Sequence, residues 1–238
     1  MIKKNMDLIS RIPAPEVDLD TLKHILRGDS NPFVRIKSWI RQGVLTRMGS
    51  GWYILGEPYR KRPWSIEYMA NVLCGPSYIS LSYALSFYSL IPERVVTVTS
   101  ITTGKSRVID TPLGWFSYKQ VPERVFRTGR DLHIRKNMPS FFIATPEKAL
   151  ADTVNQQIFS KEMRDLDMYE YLTENLRIER KDLMGLDITA LERVGLAYRS
   201  RKVFALVSCI RFLKKEGDNP NERSNRENAF RIQRPDGH

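Results

Sequence analysis

The stretch from Trp39 to Leu55, WIRQGVLTRMGSGWYIL, constrains the fold of this chain more than any other. A helix runs into Gly43, and two short apolar strands, 44–48 and 52–55, follow around a Gly49-Ser50-Gly51 tip. Glycine ends helices readily because it adopts left-handed backbone without a Cβ clash. A glycine-rich tip between two apolar runs predicts a hairpin.

Helical signals precede this pair. Residues 2–10 predict one short helix before the break at 11–18, RIPAPEVD. Asp18 is placed as the N-cap of a second helix through Arg27, with Leu19, Leu22, Ile25 and Leu26 on one face. Residues 28–31, GDSN, turn the chain, and Asn31 before Pro32 is a cap followed by a first-turn proline, which starts a third helix. At 100° per residue, Phe33, Ile36, Trp39 and Ile40 share one side of that helix and are expected to be buried. Val34, Ser38, Arg41 and Gln42 lie opposite, with Arg35 and Lys37 on the flanks, so the outward face is cationic and carries no acid.

Two helices joined by a short glycine-containing turn match the helix-turn-helix pattern, whose last helix lies in the major groove. There Arg pairs with guanine edges, and Ser or Gln with others. The hairpin then serves as a wing, with Arg47, Ser50 and the tip amides near the phosphate backbone. The expectation for residues 1–56 is a winged helix-turn-helix domain that binds double-stranded DNA.

Composition supports a polyanionic partner. Among 238 residues, 38 Lys plus Arg face 27 Asp plus Glu, a net charge of +11. Cys74 and Cys209 have no partner at metal-ligand spacing and there are three histidines, which argues against a disulfide framework or a zinc site. No apolar run approaches the roughly 20 residues of a membrane span, and the N-terminus lacks the apolar core of a secretion signal. A cytoplasmic protein, away from membranes and without a cofactor, is expected.

Residues 57–63, EPYRKRP, read as a basic linker, and residues 64–215 as a second, mixed α/β domain, giving an α+β chain overall. Helices are expected at 65–74 and 80–91, and strands at 95–103, 107–110 and 114–121. Shorter strands are expected at 125–127, 132–134 and 140–143. Thr145-Pro146-Glu147 starts a helical region that runs to Lys215, ending in a stripe of Val203, Leu206, Val207, Ile210 and Leu213. The polar stretch 216–238 predicts disorder. Residues 58–140 hold twelve Lys or Arg against five Asp or Glu, so this unit is expected to grip flanking phosphates, with Lys61, Arg62, Lys105 and Arg107 as candidates.

Two enzyme-like motifs fail on inspection. Residues 102–106, TTGKS, resemble the end of a phosphate-binding loop, but the required earlier glycine is Thr99 and a strand follows instead of a helix. A hairpin turn is the expectation there. Asp110 on one strand and Lys119 on the next resemble a nuclease core, but the position two before Lys119 is Ser117, which removes a hard oxygen ligand for Mg²⁺. His133, between Leu132 and Ile134, reads as a surface or satisfied core histidine. No catalytic or metal-ligating set follows from the sequence.

Residues 78–92, YISLSYALSFYSLIP, with 98–107, VTSITTGKSR, 111–118, TPLGWFSY, and 144–150, ATPEKAL, together resemble the recurring segments of the AbiEi family of antitoxin-regulators. The resemblance covers residues 2–215. It implies a bacterial repressor whose winged helix binds inverted-repeat operator DNA in its own promoter. It also implies a second domain that counters a nucleotidyltransferase-like toxin encoded nearby. Arg35, Lys37, Ser38, Arg41 and Arg47 carry over by position in the motif. Two alternatives stand against this non-enzymatic reading: a Mg²⁺-dependent nuclease targeted by its winged helix, and a regulator that uses the winged helix to dock protein.

Overall fold

A computed structural model of the chain describes residues 2–159 and 165–217, and shows a mixed α+β architecture. The N-terminal part runs α1 (Ile2–Ser10), β1 (Glu16–Asp18), α2 (Leu19–Ile25), α3 (Pro32–Arg41), β2 (Leu45–Gly49) and β3 (Trp52–Leu55). Local chemistry sets the helix starts. Asp18 Oδ1 accepts from Thr21 N at 2.7 Å, and Asn31 Oδ1 accepts from Val34 N at 3.2 Å, each satisfying an amide that has no partner within its helix. At the other end of α3, Gly43 takes φ +71°, and Val44 N donates to Trp39 O at 2.9 Å, so the helix turns straight into β2. Gly56 closes the hairpin from below, where a Cβ would stand 2.3 Å from Gly43 O.

The three strands pair antiparallel in the order β1-β3-β2. β1 is absent from the sequence expectation, because two prolines in 11–18 read as a break. Its pairing survives since Pro15 contributes only its carbonyl, which accepts from Leu55 N at 2.8 Å. Leu22, Leu26, Ile36, Trp39, Leu45, Tyr53 and Leu55 form one core between helices and sheet. Phe33 is a correction: it is 59% exposed, because the first turn of α3 overhangs that core instead of covering it.

The second sheet has six strands in the order β6-β7-β5-β4-β9-β8. These are β4 (Ser77–Ile79), β5 (Val98–Thr102), β6 (Arg107–Thr111), β7 (Gly114–Gln120), β8 (Arg130–His133) and β9 (Phe141–Ala144). β4–β9 and β5–β7 are parallel, and the other pairs antiparallel. The helices are α4 (Ile66–Leu73), α5 (Leu81–Phe87), α6 (Glu123–Phe126), α7 (Pro146–Gln156), α8 (Asp165–Glu170), α9 (Arg180–Gly185), α10 (Ile188–Tyr198) and α11 (Arg201–Gly217). A π-helical turn, Tyr171–Asn175, extends α8. The stripe Val203, Leu206, Val207, Ile210 and Leu213 on α11 is buried.

Three expectations change here. Residues 123–126 form a helical turn that opens at Pro122 and buries Val125 and Phe126, where a strand was expected over 125–127. β4 is a short strand in the center of the sheet, in a stretch between the two expected helices to which no element was assigned. The segment TTGKS is a crossover, not a hairpin turn: β5 pairs with β7 in parallel, and β6 reaches its place on the far side of β7. The expected disorder of the tail lies outside the described residues from 218 onward.

The β2–β3 hairpin has two covered faces. Leu45, Tyr53 and Leu55 face the N-terminal helices, while Met48 and Ile54 belong to the larger core with α4 and β7. Trp52 meets Tyr68 edge to face at 6.0 Å, and a Cβ at Gly49 would touch Ile109 of β6 at 3.9 Å. Arg62 donates to both oxygens of Glu16 at 3.1 and 2.7 Å, and Ser65 N donates to Glu16 Oε1 at 2.5 Å, so residues 57–65 are tied to β1. Among the described residues no helix is long and apolar enough to cross a membrane.

Candidate nucleic-acid interface

The outward side of α3 is built by its neighbors. Ile36 and Trp39 are buried under it, which forces Lys37, Arg41 and Gln42 outward, and all three are exposed. Ser38 is half-buried and its Oγ accepts from Gln42 Nε2 at 3.1 Å. Val34 is 59% exposed beside Phe33, whose ring has the Lys23 ammonium 5.6 Å from its center. The first turn of α3 therefore offers apolar surface of the kind that meets thymine methyl groups, and the last turn offers donors and a cation.

Arg35 differs from its neighbors. Its Nε donates to Asp29 Oδ2 at 2.9 Å and its Nη2 to Asp29 Oδ1 at 3.2 Å, a forked pair across the turn between α2 and α3. The bond to Asp29 raises the guanidinium pKa, against an opposing effect of desolvation. Asp29 was not singled out in the sequence. A carboxylate six residues before an arginine is a weak signal, since the turn geometry that joins them is invisible there.

The candidate residues of the β2–β3 hairpin lie beyond α3 along the chain. Arg47 is exposed on β2, on the same side of the sheet as Tyr53, its cross-strand partner. A bulge between Arg47 and Gly49 then swings the strand, and Ser50 caps the tip at φ +49°, exposed. Leu19 N donates to Gly51 O at 2.8 Å, which fixes the tip against the start of α2. α3 and β2 are thus joined by the short turn at residues 42–44, with Arg41 and Gln42 exposed before it and Arg47 exposed after it.

The candidate phosphate contacts of the second unit separate into two kinds. Lys61, Lys105 and Arg107 are exposed. Arg62 is committed to Glu16, whose side chain is 1% exposed, and a phosphate would have to displace that pair. The TTGKS segment holds no open amide cradle: Gly104 N donates to Thr102 Oγ1 at 3.1 Å and Ser106 Oγ accepts from Gln120 N at 2.9 Å. Arg107 and Ile109 share one side of β6, and Ile109 is the residue that a Cβ at Gly49 of the hairpin would touch.

The fold separates the two residues of the nuclease-like pair. Asp110 is paired with Trp115, at the opposite end of β7 from Lys119, and among the described residues no group of three acidic, histidine or cysteine side chains is placed to hold a metal. His133 packs on Phe87 and Phe141 at 5.2 and 5.0 Å as an aromatic side chain of the core rim. The strongest buried electrostatics lie elsewhere. Lys148 and Asp152, one turn apart on α7, are paired with no exposure, and Asp152 also accepts from Tyr198, from Tyr78 at 3.1 Å and from Ser80 at 2.6 Å. Burial lowers the Lys148 pKa against the opposing pull of Asp152, and burial beside the same carboxylate raises those of Tyr78 and Tyr198. Each polar atom answers another, which is how a packed interior holds charge. Comparison with models of known protein families and with curated protein sequences gives no match.

Proposed function

We propose that this chain is a sequence-selective DNA-binding regulator, with α3 read into the major groove and the β2–β3 hairpin acting as a wing. The observation that carries this reading is the outward face of α3: Lys37, Arg41 and Gln42 exposed with Ser38 beside them, and no carboxylate anywhere on the helix. The element order α1-β1-α2-α3-β2-β3, with its β1-β3-β2 sheet, supports it, since this is the order of a winged helix-turn-helix. The net charge of +11 adds a long-range attraction to a polyanion.

On the resemblance to the AbiEi antitoxin-regulators, the second unit is read as the part that counters a nucleotidyltransferase-like toxin encoded nearby, in the cytoplasm, and the DNA as an inverted-repeat operator of its own promoter. Function by binding instead of catalysis is part of the same proposal.

The test is an anisotropy titration of the protein against the duplex just upstream of its own gene and against a scrambled duplex, each at two salt concentrations. Tighter binding to the upstream duplex at both salts is the expected result. Equal binding that weakens in parallel with salt would reduce the protein to a non-specific phosphate binder, and no binding would leave α3 as a protein-docking surface.

A further inference from the structure

The two edges of the six-stranded sheet are finished differently. β6, at one edge, lies against the tip of the β2–β3 hairpin through Ile109. β8, at the other, ends the sheet. Thr145 N donates to Gly129 O at 2.9 Å, one step outside the ladder. In that register residues 131 and 133 bond toward β9, and Arg130 and Leu132 turn their N–H and C=O groups away from the sheet. Among the described residues no backbone bond reaches those outward groups.

Edge strands of monomers are normally blunted by a lysine, a proline, a bulge or a cover, because an open ladder recruits another strand. β8 is short and carries Arg130 and Asp131, but it has no lysine, proline or bulge among its four residues, Arg130-Asp-Leu-His133. It presents apolar side chains instead: Leu132 is 49% exposed, directly across from Phe142 at 42%, with Ile134 at 75% just beyond.

We infer that β8 pairs with β8 of a second copy of this chain, antiparallel, across a two-fold axis at Leu132. The sequence of the strand is complementary to itself in that register. Leu132 meets Leu132 of the second copy as a hydrogen-bonded pair, so Phe142, Leu132 and their two counterparts form one apolar row across the seam. Arg130 falls opposite Ile134, its guanidinium already 5.4 Å from the Phe142 ring center. On the other face Asp131 falls opposite His133, a carboxylate against a ring that can donate, and symmetry repeats that contact. A shift by two residues in one direction sets Asp131 against Asp131 of the second copy, and in the other it sets Leu132 against Ile134 and Asp131 against Arg135, whose guanidinium already donates to Ser65 and Glu67. The contact is isologous and closes on itself, as two-fold dimers do.

The full-length chain tests this directly. Sedimentation equilibrium should give twice the mass of one chain. Leu132→Lys should raise the dimer dissociation constant by about tenfold or more, as expected for a central interface position, with an unchanged circular dichroism spectrum. Leu132→Cys should form an inter-chain disulfide under mild oxidation, because a hydrogen-bonded antiparallel pair holds its Cα atoms about 5.5 Å apart, within disulfide reach. Arg130→Cys mixed with Ile134→Cys should also cross-link, while either alone should not. Cys74 and Cys209 are buried and leave the readout clean. A single-chain mass at every concentration overturns the inference and leaves the edge to an extended segment of another protein. A dimer in which Leu132→Cys stays unlinked overturns it equally.

Discussion

Asp152 is the residue on which the second core turns, since four side chains from three other places in the chain converge on its carboxylate or its immediate partner. Removing it leaves the Lys148 ammonium buried and unpaired. Asp152→Ala is therefore expected to destabilise the fold by about 3–5 kcal/mol, the scale of a broken buried ion pair, measured by urea unfolding. Glu67 makes a gentler case. Desolvation pushes its pKa up, but the bonds from Arg135, its own backbone N–H and Ser65 outweigh this and hold it below the ordinary carboxylate value. A group held lower in the folded chain than in the unfolded one stabilises fully above the unfolded pKa, and that stabilisation is lost as pH falls through the folded one. Unfolding midpoints should drop on acidification below about pH 4.5, the region of an unperturbed glutamate, and Glu67→Gln should flatten that dependence. A profile unchanged by Glu67→Gln would mean that the Arg135 pair contributes nothing.

At the scale of elements, what was legible followed from local chemistry. Asn31 before Pro32 placed the start of α3, and Gly43 its end, because caps and left-handed glycines act within a few residues. Asn31→Ala is accordingly expected to cost about 1 kcal/mol of stability, and to weaken DNA binding only as far as α3 frays; urea unfolding beside a binding titration separates the two. Apart from the helical turn after Pro122, the missed elements depended on partners distant in sequence. β1 hides between prolines and exists because β3 lies beside it. β4 is three residues long and is defined by β5 and β9. Phe33 obeys the helical period that places it with Ile36, yet it is exposed with the Lys23 ammonium over its ring, and periodicity cannot say where a neighboring element stops. The same holds for the candidate interface. Lys37, Arg41 and Arg47 were readable as outward cations, whereas the pairing of Arg35 with Asp29 and of Arg62 with Glu16 needed the folded turn and the buried strand.

For the molecule as a whole, the covered back of the hairpin joins the two cores. Met48 and Ile54 pack with the second unit, and Gly49 lies against Ile109 of β6, the strand that begins at Arg107; on the proposed reading a duplex on α3 and the hairpin passes close to Lys105 and Arg107. Replacing both by alanine should reduce the slope of log K against log salt by about 2, equally on operator and scrambled duplexes, since phosphate contacts carry no sequence information. An unchanged slope would place the second unit clear of the DNA. The central claim, that α3 reads bases, is tested most directly by titrating the protein and its Arg41→Ala variant against the upstream and scrambled duplexes at one salt concentration. The account predicts a loss of roughly 1–3 kcal/mol on the upstream duplex and a much smaller one on the scrambled duplex, so that the ratio between them collapses. Equal losses on both would show that Arg41 touches only phosphate and that α3 is not the reading head.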